Sequence, residues 1–222
     1  VDLPGFGQTP ALVPGGALVD AYSAWLTQFC AEQGIGCCGV VGHSVGGALT
    51  LQFAADQPSR VKALAVINPV VTGRVILNAL DLVPKRAEWM RQSQTLSQRV
   101  FGPLIEAPVL EPLREVLWPL RRRIADFNVA AEPVLLDTWD LLTGFDIRPR
   151  LAVVEAPPLV VLGSLDVNVP NSEGFSAAAA LPDARVVRFT AGHTIMDWYP
   201  RIVAQVLSDF FAPRLFAAGL PR

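Results

Sequence analysis

An α/β fold, with a mostly parallel sheet covered by helices on both faces and a helical insertion, is predicted by three features of this 222-residue chain. The runs "CCGVVGH" (37–43), "VKALAVINP" (61–69) and "PLVVLGSLD" (158–166) are apolar without alternation, as strands covered on both faces must be. Segments of helical character lie between or after these runs, which calls for parallel strands joined by crossovers. The interval from about 70 to 150 has a different texture, with prolines every few residues, most of the arginines and no convincing strand. It reads as a helical insertion between two sheet strands.

The elements follow in order. "VDLPGFGQTP" is turn-rich. In "ALVDAYSAWLTQFCAEQGIG", Leu18, Tyr22, Trp25, Leu26 and Phe29 fall on one helical face, and Gly34 and Gly36 stop the helix. "CCGVVGH" is a short strand bounded by glycine, and "GALTLQFAADQP" behind it returns to helix before Pro58. Strands at 61–69 and 158–166, a helix at 173–180, the partly alternating strand "ARVVRFTAG" (184–192) and a helix at 200–211 complete the sheet layers. The expected division is therefore 1–69 as the first part of the core, 70–150 as the insertion and 151–222 as the second part of the core.

Composition excludes several function classes. A net charge of −2 and a pI of about 5.7 give no field to recruit nucleic acid or an anionic membrane, so a small neutral molecule is the expected partner. The triple arginine 121–123 reads as a solvated helix face. No apolar run reaches the length of a membrane span, and the first residues do not resemble an export signal, so a cytoplasmic location is expected. Cys30, Cys37 and Cys38 are an odd number, two of them inside a strand-like run, and read as buried free thiols. Two histidines without ligand-like spacing to the cysteines give no expectation of a metal, and nothing calls for a cofactor. Oligomeric state is left open.

The chemistry centres on "GHSVG", Gly42 to Gly46, a G-x-S-x-G pattern with a strand before it and a helix behind it. This context predicts Ser44 on a sharp turn with φ > 0, with Gly42 and Gly46 leaving room in the crowded elbow. A serine hydroxyl needs a base, and only His43 and His193 are available. His43 adjoins Ser44 and reads as structural. His193, in "TAGHTIMDW", follows the last strand and therefore stands at a strand C-terminal end, where ligands meet open parallel sheets. Asp166 leaves the end of "PLVVLGSLD" and is the expected partner of His193, whereas Asp146, Asp183 and Asp197 fall in a linker, a turn and a helix start. Ser44, Asp166, His193 is the chain order expected when a nucleophile elbow supplies the serine.

With these residues in place, the sequence resembles the α/β-hydrolase fold family, in its capped branch of serine esterases and carbon-carbon-bond hydrolases. "VDLPGFGQTP" is similar to the family's Asp-x-Pro-Gly-x-Gly-x-Ser loop, with Thr9 at the usual Ser position. "GHSVGG" matches the elbow, "FDIRPRLAVVEAPPLVVLGSLDVNVP" the approach to the acid, and "AGHTIMDWYP" the base. The resemblance implies that Ser44 attacks an acyl carbon, His193 shuttles the proton and Asp166 orients His193. It also implies that the backbone N–H of Val45 is one oxyanion donor. Its partner would come from a loop upstream of Val1, so the chain is expected to be a truncated record of a longer hydrolase. It would lack the first strands and leave "CCGVVGH" as an exposed sheet edge. The segment 70–150 would be a cap, with Trp89, Trp118 and Trp139 as candidates for its apolar lining.

The expected activity is cleavage of a small, largely apolar ester, thioester, lactone or C–C bond through an acyl-enzyme. Acyl transfer or cofactor-free perhydrolysis on the same three residues is an alternative, as is a non-catalytic ligand-binding protein on the same fold.

Overall fold

The computed structural model describes residues 1–6, 8–12, 18–73, 86–113, 117, 120, 121, 124 and 145–216. The chain divides into two compact units, residues 1–14 with 79–140, and residues 15–78 with 141–222. In chain order the regular elements are α1 (Leu18–Glu32), β1 (Cys38–His43), α2 (Val45–Asp56), β2 (Val61–Ile67), α3 (Arg86–Leu96), α4 (Gly102–Ile105), β3 (Pro158–Gly163), α5 (Asn171–Ala180), β4 (Arg185–Phe189), α6 (Ile195–Trp198) and α7 (Pro200–Phe216).

The second unit holds the sheet. Its four described strands are all parallel in the order β1-β2-β3-β4, with Val41 opposite Ala65, Val66 opposite Val160, and Val161 opposite Val187. The lack of alternation in the sequence now has its physical reason, because successive side chains of β2 and β3 enter two different cores. Leu64, Val66, Val160 and Leu162 pack with Leu51 and Phe53 of α2, Cys30 of α1 and Ala177 of α5. Ala63, Ala65, Ile67, Leu159 and Val161 face Ile195 of α6 and Val203 and Phe210 of α7. Both faces are thus covered by helices, as the runs predict.

The outer strands differ from the inner ones. β4 carries exposed Arg185 and Arg188, charges that discourage edge pairing. β1 pairs only with β2 among the described residues, and its Val41 is 49% exposed. Gly39 lets α7 close over β1, since a Cβ there would stand 2.7 Å from the Phe211 ring.

α1 stops where the glycines predict. Gly34 takes φ +67°, and the Ile35 and Gly34 amides donate to Cys30 O and Ala31 O, closing the last turn. All three cysteines are free thiols, but only Cys30 is buried; Cys37 and Cys38, expected to be buried, are partly exposed at the start of the outer strand β1. Burial, reinforced by the neighbouring Cys30, pushes the Cys38 thiol up to about 11, so it behaves as an inert apolar group.

In the first unit, the opening loop is a set of turns. Thr9 Oγ1 donates to Asp2 O at 2.9 Å and Gly5 N–H donates to Thr9 O at 2.9 Å. α3 runs into a π-helical turn (Ser97–Phe101), α4 and a 3₁₀ turn (Pro108–Leu113), the short pieces expected where Pro103, Pro108 and Pro112 interrupt helix. Trp118, Trp139, Arg122, Arg123 and the side chain of Trp89 lie outside the described residues.

Candidate active site

Ser44 sits alone between β1 and α2 with φ 57° and ψ −121°, a conformation that non-glycine residues seldom adopt. Its backbone is pinned on both sides. The Ser44 N–H donates to Ile67 O at 3.0 Å, and its carbonyl accepts from Gly47 N at 2.9 Å and Val70 N at 3.1 Å. Val45 opens α2, where an amide has no acceptor within the helix.

Of the two glycines expected to leave room at the turn, Gly42 does and Gly46 does not. A Cβ on Gly42 would stand 2.2 Å from Gly46 O, and one on Gly47 would stand 2.8 Å from Pro69 Cβ, whereas a Cβ on Gly46 meets nothing within 4 Å. The crowded positions are therefore Gly42 and Gly47, because α2 starts against the strand end and packs on Pro69 at that level. Gly42→Ala is expected to cost about 1–3 kcal/mol and Gly46→Ala close to nothing, so thermal melting should separate them by several degrees. Equal melting temperatures would contradict the packing described for the elbow.

Asp166 lies on the loop after β3. Its side chain has no solvent exposure and both oxygens are used. Oδ1 accepts from the Asn168 and Val169 amides at 2.8 and 3.0 Å, and Oδ2 meets His193 Nδ1 at 2.7 Å. Burial pushes this carboxyl up, but the His193 hydrogen bond and charge and the two amides outweigh it and hold Asp166 below the usual carboxylate range. An ionised carboxylate can only accept, so Nδ1 carries a proton, and in the neutral imidazole Nε2 keeps its lone pair. Asp146 instead pairs with Arg148, at 2.9 Å to Nε, and Asp183 sits in the turn after α5 with φ 50°.

His43 has the structural place expected of it. Its Nε2–H donates to His193 O at 2.9 Å, and the two imidazole rings are 4.6 Å apart with 47° between planes. Burial first, and then the charge on His193, lower the His43 pKa from 6.5 to about 4. Since the folded value is depressed, the unfolded chain binds this proton more tightly, and stability is lost as pH falls from about 6.5 to about 4. The loss is of order 3 kcal/mol and should be largely absent in His43→Gln, as followed by urea unfolding across that range.

Ser44, Asp166 and His193 follow the ends of β1, β3 and β4, so all three stand at the C-terminal end of the parallel sheet. The structure brings Asp166 and His193 into direct contact and lays His43, the neighbour of Ser44, against the His193 ring. Among the described residues no hydrogen bond joins the Ser44 hydroxyl to His193.

Two buried polar residues at this end went unmarked by the sequence. Asn68, with φ 42°, bridges the acid and base loops. Glu173 accepts from the Val71 and Thr72 amides at 2.7 and 2.6 Å, and from the Thr72 hydroxyl, holding the chain that leaves β2 against α5. For Asn68 the available signal was an asparagine directly after an apolar strand, a residue type enriched at φ > 0. For Glu173 there was none, since a glutamate in a first helical turn usually faces water.

Known proteins place the chain. A family described as alpha/beta hydrolase fold matches residues 1–200. The lipase LipV of Mycobacterium tuberculosis is 26% identical over 96% of this chain and 82% of its own length. The 2-hydroxy-6-oxo-6-phenylhexa-2,4-dienoate hydrolase of Burkholderia cepacia is 27% identical over 95% of this chain and 75% of its own. The dihydrolipoyllysine-residue acetyltransferase component of the acetoin cleaving system of Cupriavidus necator is 38% identical over 87% of this chain, which spans 50% of that protein. With the parallel sheet, the elbow and a match over 200 of 222 residues, the chain belongs to the α/β-hydrolase fold family and is an α/β-hydrolase enzyme.

Proposed function

We propose that this enzyme is a serine hydrolase in which Ser44 is the nucleophile, His193 the general base and Asp166 the residue that fixes the imidazole. The observation that carries this reading is the 2.7 Å contact between His193 Nδ1 and Asp166 Oδ2, with the other Asp166 oxygen occupied by two backbone amides. Such an arrangement holds one tautomer, with Nε2 free to accept a proton.

In the proposed cycle, Ser44 Oγ attacks an acyl carbon as Nε2 takes its proton, and the Val45 amide donates to the developing oxyanion. The imidazolium then protonates the leaving group, and water repeats the sequence on the acyl-enzyme. The substrate class is a small, largely apolar ester, thioester, lactone or activated C–C bond. The low net charge and the apolar residues beside the acid, with Leu165 57% and Val167 70% exposed, support a neutral substrate. The interval 70–150 is proposed as the part that sets substrate choice.

An acyl-enzyme cycle predicts a burst. A short-chain aryl ester mixed with enzyme should release about one equivalent of phenol before a slower steady rate, and His193→Ala should remove the burst. A linear trace in the active enzyme at all substrate concentrations would argue against a slowly hydrolysed acyl intermediate. Acyl transfer is a second reading, favoured by the 38% identity to an acetyltransferase component. Partition of product between acid and acylated acceptor, when an alcohol or thiol is added, discriminates the two.

A further inference from the structure

Asn68 follows β2, contributes nothing to either apolar core, and is only 2% exposed. Its backbone takes φ 42°, which glycine would adopt without strain, so the side chain has to justify its presence. That side chain is used at both ends. Oδ1 accepts from the Gly163 N–H at 2.8 Å, at the last residue of β3 from which the Asp166 loop springs. Nδ2 donates to His193 O at 2.7 Å and lies 3.4 Å from Gly192 O.

The two loops held by this amide are already in close backbone contact. A Cβ on Gly163 would stand 2.4 Å from Gly192 O, and Leu165 N–H donates to Ala191 O at 2.9 Å. The His193 carbonyl also accepts from His43 Nε2 at 2.9 Å, so both of its lone pairs are engaged. The backbone of His193 is thereby anchored to the ends of β1 and β2, and through Asn68 to the root of the acid loop. Few side chains meet the demands at this position. It must tolerate φ > 0, offer a donor and an acceptor on opposite corners of one short planar group, and stay neutral when buried.

We propose that Asn68 is a positioning residue that clips the acid loop to the base loop and so sets the approach of His193 to Asp166 and Ser44. The proposal rests on the serine-hydrolase reading for its kinetic consequence but not for its geometric one. A shift of about 1 Å in a reacting group can cost on the order of 100-fold in rate, which sets the scale of the effect.

Two variants test it beside the full wild-type chain. Asn68→Gly keeps the backbone conformation and removes both hydrogen bonds, whereas Asn68→Asp keeps the acceptor for Gly163 N–H and turns the donor into an oxygen facing two carbonyls. The readouts are the rate of labelling by a fluorophosphonate, KM and kcat for an aryl ester, the downfield proton resonance of His193 Nδ1–H, and circular dichroism. The expected result is labelling and kcat reduced roughly 10- to 100-fold in both variants, KM little changed, the resonance broadened or shifted, and the folded spectrum kept. Labelling and resonance equal to wild type in either folded variant would overturn the proposal. So would a loss that merely follows the unfolded fraction. If the wild-type chain itself takes no label, the nucleophile reading fails, and the resonance comparison alone decides whether Asn68 positions His193.

Discussion

Ser44→Ala is expected to lower kcat for ester hydrolysis by about six orders of magnitude, the scale seen when the nucleophile of a Ser-His-Asp set is removed. The change deletes one oxygen and leaves everything else that was described. The Ser44 backbone bonds to Ile67 and Val70, the open first turn of α2 and the Asp166–His193 pair do not depend on the hydroxyl. Alanine at φ 57° is no worse tolerated than serine, so the melting temperature should stay within a few degrees of wild type. Whatever activity persists would come from the Val45 amide and from substrate binding. Steady-state hydrolysis of an aryl ester checks this, and a residual rate within tenfold of wild type would exclude Ser44 as nucleophile.

Asp166→Asn should cost about 10⁴ in kcat, the second-largest effect, through the tautomer of His193. The Asn168 and Val169 amides demand an acceptor on one side of residue 166, so the amide oxygen of an asparagine would turn towards them. Its NH₂ would then face His193 Nδ1, which must become the acceptor, and the proton moves to Nε2, which then has no lone pair to take the Ser44 proton. The His193 hydrogen bond and the two loop amides hold Asp166 below the usual carboxylate range, so it is a carboxylate through the neutral range. The stability contributed by the hydrogen-bonded Asp166 carboxylate is present above the ordinary carboxylate pKa of about 3.9 and disappears as pH falls through the lower folded value. Hydrolysis measured between pH 6 and 8 with wild type and Asp166→Asn tests this, and comparable rates would show that the carboxylate does not fix the imidazole.

Much of this arrangement was legible in the sequence, for reasons that particular residues make plain. β2 and β3 are apolar on consecutive residues because both of their faces are covered, and that pattern identifies a doubly covered sheet without any knowledge of the partners. The turn at Ser44 was legible because the G-x-S-x-G spacing of Gly42, Ser44 and Gly46 falls at a strand-to-helix change. The Asp166–His193 contact followed from both residues leaving the same end of parallel strands. Local pattern could not supply the contacts that depend on which loops meet. Asn68 reaches residues 95 and 125 positions away, and Glu173 reaches back 101 and 102 positions. The role given to Gly46 belongs to Gly47, because the direction in which α2 packs on Pro69 is a tertiary fact that spacing alone does not encode.

Intact-mass analysis after exposure to a fluorophosphonate, with wild type and Ser44→Ala side by side and the modified peptide sequenced, decides whether Ser44 is an activated nucleophile. One adduct per chain is expected, located on Ser44 and absent from Ser44→Ala. An adduct that persists in Ser44→Ala, or a wild-type chain that stays unmodified under conditions that label other serine hydrolases to completion, would contradict it.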